Sequence, residues 1–379
     1  MPDLVGFEAK QFLRRYWQRR PLLIRNAWRE WRNPLAPDDL AGLACRADIE
    51  SRLVLRQRRQ WRLELGPFAE SRFSSLPRRN WTLLVQAVDH HVPAVAELLE
   101  AFRFIPDWRI DDVMISYAAD GGGVGPHFDQ YDVFLVQGLG RRRWQIGQRC
   151  DHRTALLPHD ELRLLANFAP DQQWLLEPGD MLYLPPRYAH HGVAVGTNCM
   201  TYSIGLRAPS RSELIGHWCD EVIDRLTEDD RFVDAELTAA ENPGEVTAAS
   251  TTRLFGMLGE ALLDEDAFTE WFARYVSEQK YPDHERPRRL STAQIQKRLA
   301  RGATLIRHPA SRYSFIRHPR LVLFVDGQRF TCGGRASALV ERLCGHARRP
   351  LLAADVNARS VLQLVTALYN QGSLVFSNA

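Results

Sequence analysis

The sequence of 379 residues contains almost no lysine. Lys10, Lys280 and Lys297 are the whole set, so arginine carries nearly all the positive charge. Cysteine is sparse and scattered: Cys45, Cys150, Cys199, Cys219, Cys332 and Cys344 form no CxxC pair. That argues against paired-thiol zinc or redox motifs and leaves the thiols as expected buried side chains. No apolar run approaches the ~20 residues that span a bilayer. The opening MPDLVGFEAKQFLRRYWQRR lacks the apolar core of a secretory signal. The expectation is a cytoplasmic protein with no membrane partner. Internal repeats and low-complexity tracts are also missing, so repeat arrays and disordered tails are not expected.

What is present fits a soluble globular chain, 45% hydrophobic and 25% charged. The length allows two or three domains of ~100–200 residues each. Net charge is only +3, but its distribution is uneven. From Ser210 to Asp283 there are 6 basic and 18 acidic residues, a net of −12. From His284 to Ala379 there are 16 basic and 4 acidic residues, a net of +12. These changes of sign predict three segments, 1–209, 210–283 and 284–379.

The first segment opens with an amphipathic helix that runs into a short strand. From Trp108 onward DDVMISYAA, YDVFLVQ, RRRWQIG, DMLYLP, HGVAVG and MTYSIGLRA read as short strands separated by Gly and Pro, the pattern of a barrel or sandwich. The second segment is striped at helical spacing by Leu214, Trp218, Val222, Leu258, Phe268 and Trp271. Stripes this apolar in so short a segment predict packing on the barrel or a subunit interface. In the third, STAQIQKRLA reads as a helix capped by Ser291 or Thr292. LVLFVDGQRFTC reads as a hairpin turning on Asp326-Gly327. Further helices and a last strand, SLVFS, give a winged-helix-like pattern. Direct nucleic-acid binding is not expected, because no glycine- and arginine-rich recognition helix is visible.

The chemistry concentrates in GPHFDQYDVFLVQGLGRRRW, residues 125–144. Residues two apart on a strand face the same way, so His127 and Asp129 point together. A second histidine would complete a two-His-one-carboxylate triad, which holds Fe(II) and leaves positions open for substrate and oxygen. EPGDMLYLPPRYAHHGVAV offers His190 and His191. Neighbours on a strand face opposite sides; Gly192 and Ala194 leave room on the His190 face, whereas Val193 and Val195 suggest packing on the other. This favours His190. Such an iron needs a reductant, usually 2-oxoglutarate, whose far carboxylate suits a bidentate arginine. A hairpin at Gly138-Leu139-Gly140 is expected to carry the arginine run back beside the His127 strand. Alternation then separates Arg142 from Arg141 and Arg143. A single inward cation is easier to accommodate, so Arg142 is the candidate.

GGGVGPHFDQYDVFLVQGLGRRRW, DWRIDDVMISY, DMLYLPPRYAHHG and YSIGLRAPSRSELI together resemble the bacterial JmjC-type ribosomal oxygenases, and the likeness covers the whole chain. The resemblance implies an α+β chain: a double-stranded β-helix (cupin/JmjC) barrel, a helical dimerisation region and a winged-helix-like C-terminal domain. It implies an enzyme that uses Fe(II), 2-oxoglutarate and O2 to hydroxylate the β-carbon of an arginine in a large-subunit ribosomal protein, L-sixteen. It implies a homodimer, with His127, Asp129 and His190 as metal ligands and Arg142 on the 2-oxoglutarate carboxylate. Ser116 matches a serine lining the same pocket. An arginine substrate needs an acceptor, and Asp120, ahead of the glycine run, is the candidate at the mouth. Two other readings stay open: a hydroxylase of another side chain or of tRNA, and a cupin sensor with a nucleic-acid-binding winged helix.

Overall fold

A computed structural model describes residues 4–377, apart from Arg29, Arg59, Asp160, Ala240, 282–286 and 346–347. The chain divides into two compact units. One comprises Met1–Ala208, Lys280–Ser311 and Gly345–Ala379; the other comprises Pro209–Gln279 and Arg312–Cys344. The segment expected at 284–379 is thus divided between the units. Its expected start, between residues 283 and 284, lies outside the described residues.

The first unit is built on nine strands: β1 Leu22–Ile24, β2 Ser51–Gln57, β3 Gln60–Leu65, β4 Trp81–Val85, β5 Ile110–Ala118, β6 Asp132–Arg149, β7 Pro170–Leu176, β8 Met181–Leu184 and β9 Tyr188–Leu206. They join in one sheet in the order β1-β8-β6-β9-β5-β4-β2-β3, with β7 also paired to β6. Every pairing is antiparallel. Two long strands dominate, β6 and β9, which pair along nearly their whole length.

The expected hairpin at Gly138-Leu139-Gly140 is corrected by this pairing. The chain does not reverse there, and YDVFLVQ and RRRWQIG belong to one strand, β6. The glycines mark register shifts at Gln137/Leu139 and Leu139/Arg141, a bulged stretch that bends the strand. Gly140 has φ +59° and lies so close to β9 that a Cβ would sit 2.6 Å from the Asn198 carbonyl oxygen. HGVAVG and MTYSIGLRA likewise merge into β9. The bend lets β6 change one neighbour: Val133–Val136 pair with β8 and Arg142–Gly147 with β7.

Period-two alternation separates the faces of the sheet. Leu83, Val113, Ile115, Phe134, Val136, Tyr202 and Ile204 enter the main apolar core. The N-terminal helix Ala9–Arg15 covers this side, its buried Phe12 ring 4.8 Å from Tyr183. The intervening residues Thr82, Leu84, Met114, Ser116, Val133, Leu135 and Ser203 face a cavity instead. After the sheet come the helix Thr292–Ala300, capped by a reciprocal Ser291–Gln294 box, and the helix Arg359–Gln371. A two-stranded ladder, Leu305–Arg307 with Leu374–Phe376, completes the unit.

The second unit packs the helices Arg211–Ile223, Ala248–Leu262 and Glu265–Val276 around Trp218, Val222 and Trp271. Its sheet joins Tyr313–Ile316, Val322–Val325 and Gln328–Thr331. The expected turn is there, with Asp326 and Gly327 at φ 51° and 76°, the left-handed pair that a tight hairpin needs. The helix Ala248–Leu262 buries none of its residues. Leu254, Phe255 and Leu258 are 43%, 78% and 59% exposed. No helix among the described residues is long and apolar enough to cross a membrane.

Candidate metal and co-substrate site

His127 and His190 face each other across an isolated antiparallel bridge. Each backbone N–H donates to the other's carbonyl, at 3.0 and 2.8 Å. Residues directly opposite in such a bridge project to the same side, and the two rings sit 4.2 Å apart. His127 and Asp129 therefore do not lie on a named strand; the bridge and the Arg187 N–H on the Asp129 carbonyl (2.7 Å) fix the segment. The Asp129 carboxylate reaches to 3.9 Å from His127 Nε2 and 3.6 Å from His190 Nε2.

The tautomers follow from the neighbours. His127 Nδ1 lies 2.9 Å from the Gly125 carbonyl, and His190 Nδ1 lies 2.9 Å from the Tyr188 carbonyl. A carbonyl only accepts, so both Nδ1 atoms carry hydrogen and both Nε2 lone pairs are left facing Asp129. Burial and the neighbouring His127 push the His190 pKa down to about 4, so the ring is neutral at pH 7. Two imidazole lone pairs and one carboxylate, all within 4.8 Å of one another, form a donor set suited to a divalent first-row metal. It is the only such group among the described residues.

His191 points away from this cluster, its ring 6.1 Å from Phe168, and its pKa is also pushed to about 4 by burial. Both rings stay neutral in the folded chain while the unfolded chain takes up protons below its ordinary histidine pKa of ~6.5. The metal-free protein should therefore lose stability as pH falls from ~6.5 toward 4, measurable as a falling urea midpoint. A midpoint constant across that range would show that the rings titrate normally.

The histidines open onto a cavity of about 310 Å3. Arg142 and Ser116 line it, 5% and 3% exposed. Arg141 and Arg143 are exposed, as alternation requires. The Arg142 guanidinium lies 5.7 Å from the Trp144 ring centroid, and its Nε is 3.5 Å from Cys199 Sγ. Its Nη2 is buried with no hydrogen-bond partner among the described residues. Two other cavity-lining groups, Thr82 Oγ1 and Trp144 Nε1, are orphaned in the same way. A buried guanidinium nitrogen left without a partner is unfavourable unless an acceptor joins it. An acid such as 2-oxoglutarate, with one carboxylate to offer Arg142, fits this wall. Sequence reasoning missed Thr82 and Trp144; Thr82 was legible as a polar residue on the inward phase of the apolar strand WTLLV.

Asp120 stays outside the cavity wall. Its carboxylate accepts the Gly196 N–H at 2.9 Å and pairs with the exposed Arg79, also at 2.9 Å. The loop it begins leads to Val124 and His127, which do line the cavity.

Known proteins carry the same combination. Residues 97–214 match the JmjC domain, and residues 260–375 match the ROXA-like winged helix. The chain is 40% identical over 270 residues to the ribosomal protein uL16 3-hydroxylase of Escherichia coli K12, covering 71% of each protein. It is 44% identical over 208 residues to a probable ribosomal oxygenase of Haemophilus influenzae, covering 54% of this chain and 50% of that one. The solved structure of E. coli YcfD superposes over 100% of both chains with a TM-score of 0.91 at 34% identity. YcfD with cobalt and 2-oxoglutarate superposes over 99% of both with a TM-score of 0.88 at 34% identity. With this fold, this donor set and these relatives, the chain belongs to the JmjC-domain ribosomal oxygenases, the 2-oxoglutarate-dependent dioxygenases that end in a winged helix.

Proposed function

We propose that the protein hydroxylates the β-carbon of an arginine in the large-subunit ribosomal protein uL16, in the cytoplasm. The observation that carries the reading is the buried Arg142 guanidinium, whose Nη2 has no hydrogen-bond partner among the described residues, in the cavity onto which His127, Asp129 and His190 open. The similarity to the E. coli ribosomal protein uL16 3-hydroxylase supports the substrate. In this reading His127, Asp129 and His190 hold Fe(II), Arg142 takes the far carboxylate of 2-oxoglutarate, and Ser116 shapes the same wall. When bound, iron, 2-oxoglutarate and O2 supply the oxidation: one oxygen atom enters the C–H bond, the other leaves in succinate, and CO2 is released. The chain's part is to fix and orient. The carbonyls of Gly125 and Tyr188 hold both imidazoles in the Nε2-ligating tautomer. The apolar walls Val54, Leu84, Val133 and Leu135 keep water from the reacting carbon. The test is incubation with a uL16 peptide, Fe(II) and 2-oxoglutarate, followed by mass spectrometry for a gain of one oxygen atom. Turnover of 2-oxoglutarate with no gain on any uL16 peptide would sink the substrate assignment.

For the target guanidinium we propose Asp120. Its carboxylate is oriented by the Gly196 N–H, and its other oxygen is paired with the two-thirds-exposed Arg79, a partner that an incoming arginine can replace. Asp120→Asn should lower peptide hydroxylation about tenfold, in keeping with ~1.5 kcal/mol for a lost charge-assisted bond. The 2-oxoglutarate requirement should not change. Unaltered peptide turnover would return Asp120 to a purely structural turn.

We also propose a homodimer formed through residues 210–280. The uncovered stripe on the helix Ala248–Leu262 supports it, since so large an apolar patch marks an association surface. Phe255→Asp combined with Leu258→Asp should convert a dimer to a monomer in light scattering at micromolar concentration. A wild-type monomer would remove the proposal. Neither a membrane nor a nucleic acid has a part in this reading.

A further inference from the structure

In the same compact unit a second cavity adjoins the catalytic one, and a third adjoins the second. The nearer, about 360 Å3, shares Arg52, Met114, Tyr131 and Ser203 with it. The farther, about 930 Å3, meets the nearer at Glu50. Together they make a furrow that leads away from the metal cluster. The catalytic cavity, about 310 Å3, must hold the metal, the co-substrate and the target side chain. That leaves no room for polypeptide, so the chain on either side of the target residue has to lie in a depression outside.

Among the described residues most of the furrow's charges are ion-paired, and Glu50 and Arg52 are the two that are not. Asp48 takes two hydrogen bonds from Arg46, at 3.0 and 2.5 Å. Lys280 Nζ bridges Asp111 and Asp112 at 2.7 Å each, and Gln86 also donates to Asp112. Glu50, at the junction of the two outer cavities, accepts only a neutral donor, the Tyr281 hydroxyl at 2.7 Å. No basic side chain is ion-paired with Glu50 among the described residues. A carboxylate held in place by a tyrosine and lacking a cation is a ready partner for a lysine or arginine arriving in the furrow.

We propose that this furrow seats the stretch of ribosomal protein flanking the hydroxylated arginine, and that Glu50 pairs with a basic side chain of that stretch. The proposal rests on the uL16 reading and adds a determinant of which sequence is chosen.

The test uses the full chain loaded with Fe(II) and 2-oxoglutarate, with uL16 peptides of two lengths. The core peptide carries the target arginine and three residues on each side. Longer peptides extend it in either direction through its next basic residue, and matched controls replace that residue with glutamine. Wild type should show a lower KM for one extended peptide than for the core. Glu50→Gln should raise that KM about fivefold, the size of a half-exposed ion pair. It should leave kcat, the core peptide's KM and the 2-oxoglutarate KM unchanged, and it should have no effect on the glutamine control. Glu50→Arg should prefer the extended peptide with glutamate at that position. A KM independent of length in both directions overturns the proposal, as does an equal response of core and extended peptides to Glu50→Gln. Failure of wild type to hydroxylate any of these peptides, core or extended, overturns the uL16 reading itself, so the two failures can be told apart.

Discussion

Alanine in place of His127, Asp129 or His190 is expected to abolish hydroxylation. Loss of an outer partner of a metal ligand typically lowers affinity or activity roughly 10–100-fold, and loss of a ligand itself should exceed that. The measurement need not be activity alone. Cobalt(II) titrated into each variant and followed by absorbance should show weak or no binding, while wild type saturates. His191→Ala supplies the contrast. Its ring faces Phe168 rather than the cluster, so metal binding and most of the turnover should persist. A dead His191→Ala beside an active His190→Ala would mean that β9 is shifted by one residue, since a one-residue slip exchanges the faces of a strand.

Arg142→Ala should have the next largest effect, on the 2-oxoglutarate requirement. The guanidinium is buried beside Trp144 and Cys199, and among the described residues it forms no ion pair. Truncating one member of a buried charge pair costs about 2–5 kcal/mol, so the apparent KM for 2-oxoglutarate should rise at least about thirtyfold. Arg142→Lys should recover part of this, as a point charge without the bidentate fork. Arg141→Ala and Arg143→Ala should behave like wild type, because both side chains are exposed. Equal losses in all three would move the carboxylate site away from the cavity. A 2-oxoacid without the far carboxylate should be used equally poorly by wild type and Arg142→Ala.

The side chains that alternate with the β-pleat were legible before any fold was known. His190 rather than His191 faces Asp129, and Arg142 rather than its neighbours is inside, as period two requires. The bulge at Gly138 and Gly140 was not legible as such. Locally, glycines that free the backbone serve a turn and a bulge equally well; what decides is β9, some sixty residues on, running past both halves of β6. His127 and Asp129 converge on His190 for a reason the sequence did not supply. The bridge to His190 fixes the His127 side chain's direction, where strand alternation had been expected. Charge blocks marked 210–283 and 284–379 as different, yet compactness follows packing. Strands near Val322 join the helices of the acidic segment, while Leu305–Arg307 pairs near the C-terminus. Thr82 and Trp144 could not be ranked beforehand, because an orphaned donor is defined by what surrounds it after folding. The furrow draws on residues as distant as Arg46 and His308, and no local pattern announces it.

The long β6–β9 ladder joins Arg142 to Ala194 and Ile146 to His190 in one run of paired backbone. Opening that ladder anywhere near the bend would release the Arg142 guanidinium and the His190 imidazole together. The amides of both strands should therefore exchange with solvent deuterium as a single cooperative unit. Either ligand, bound alone, should slow that exchange across the whole ladder, including the half it does not touch.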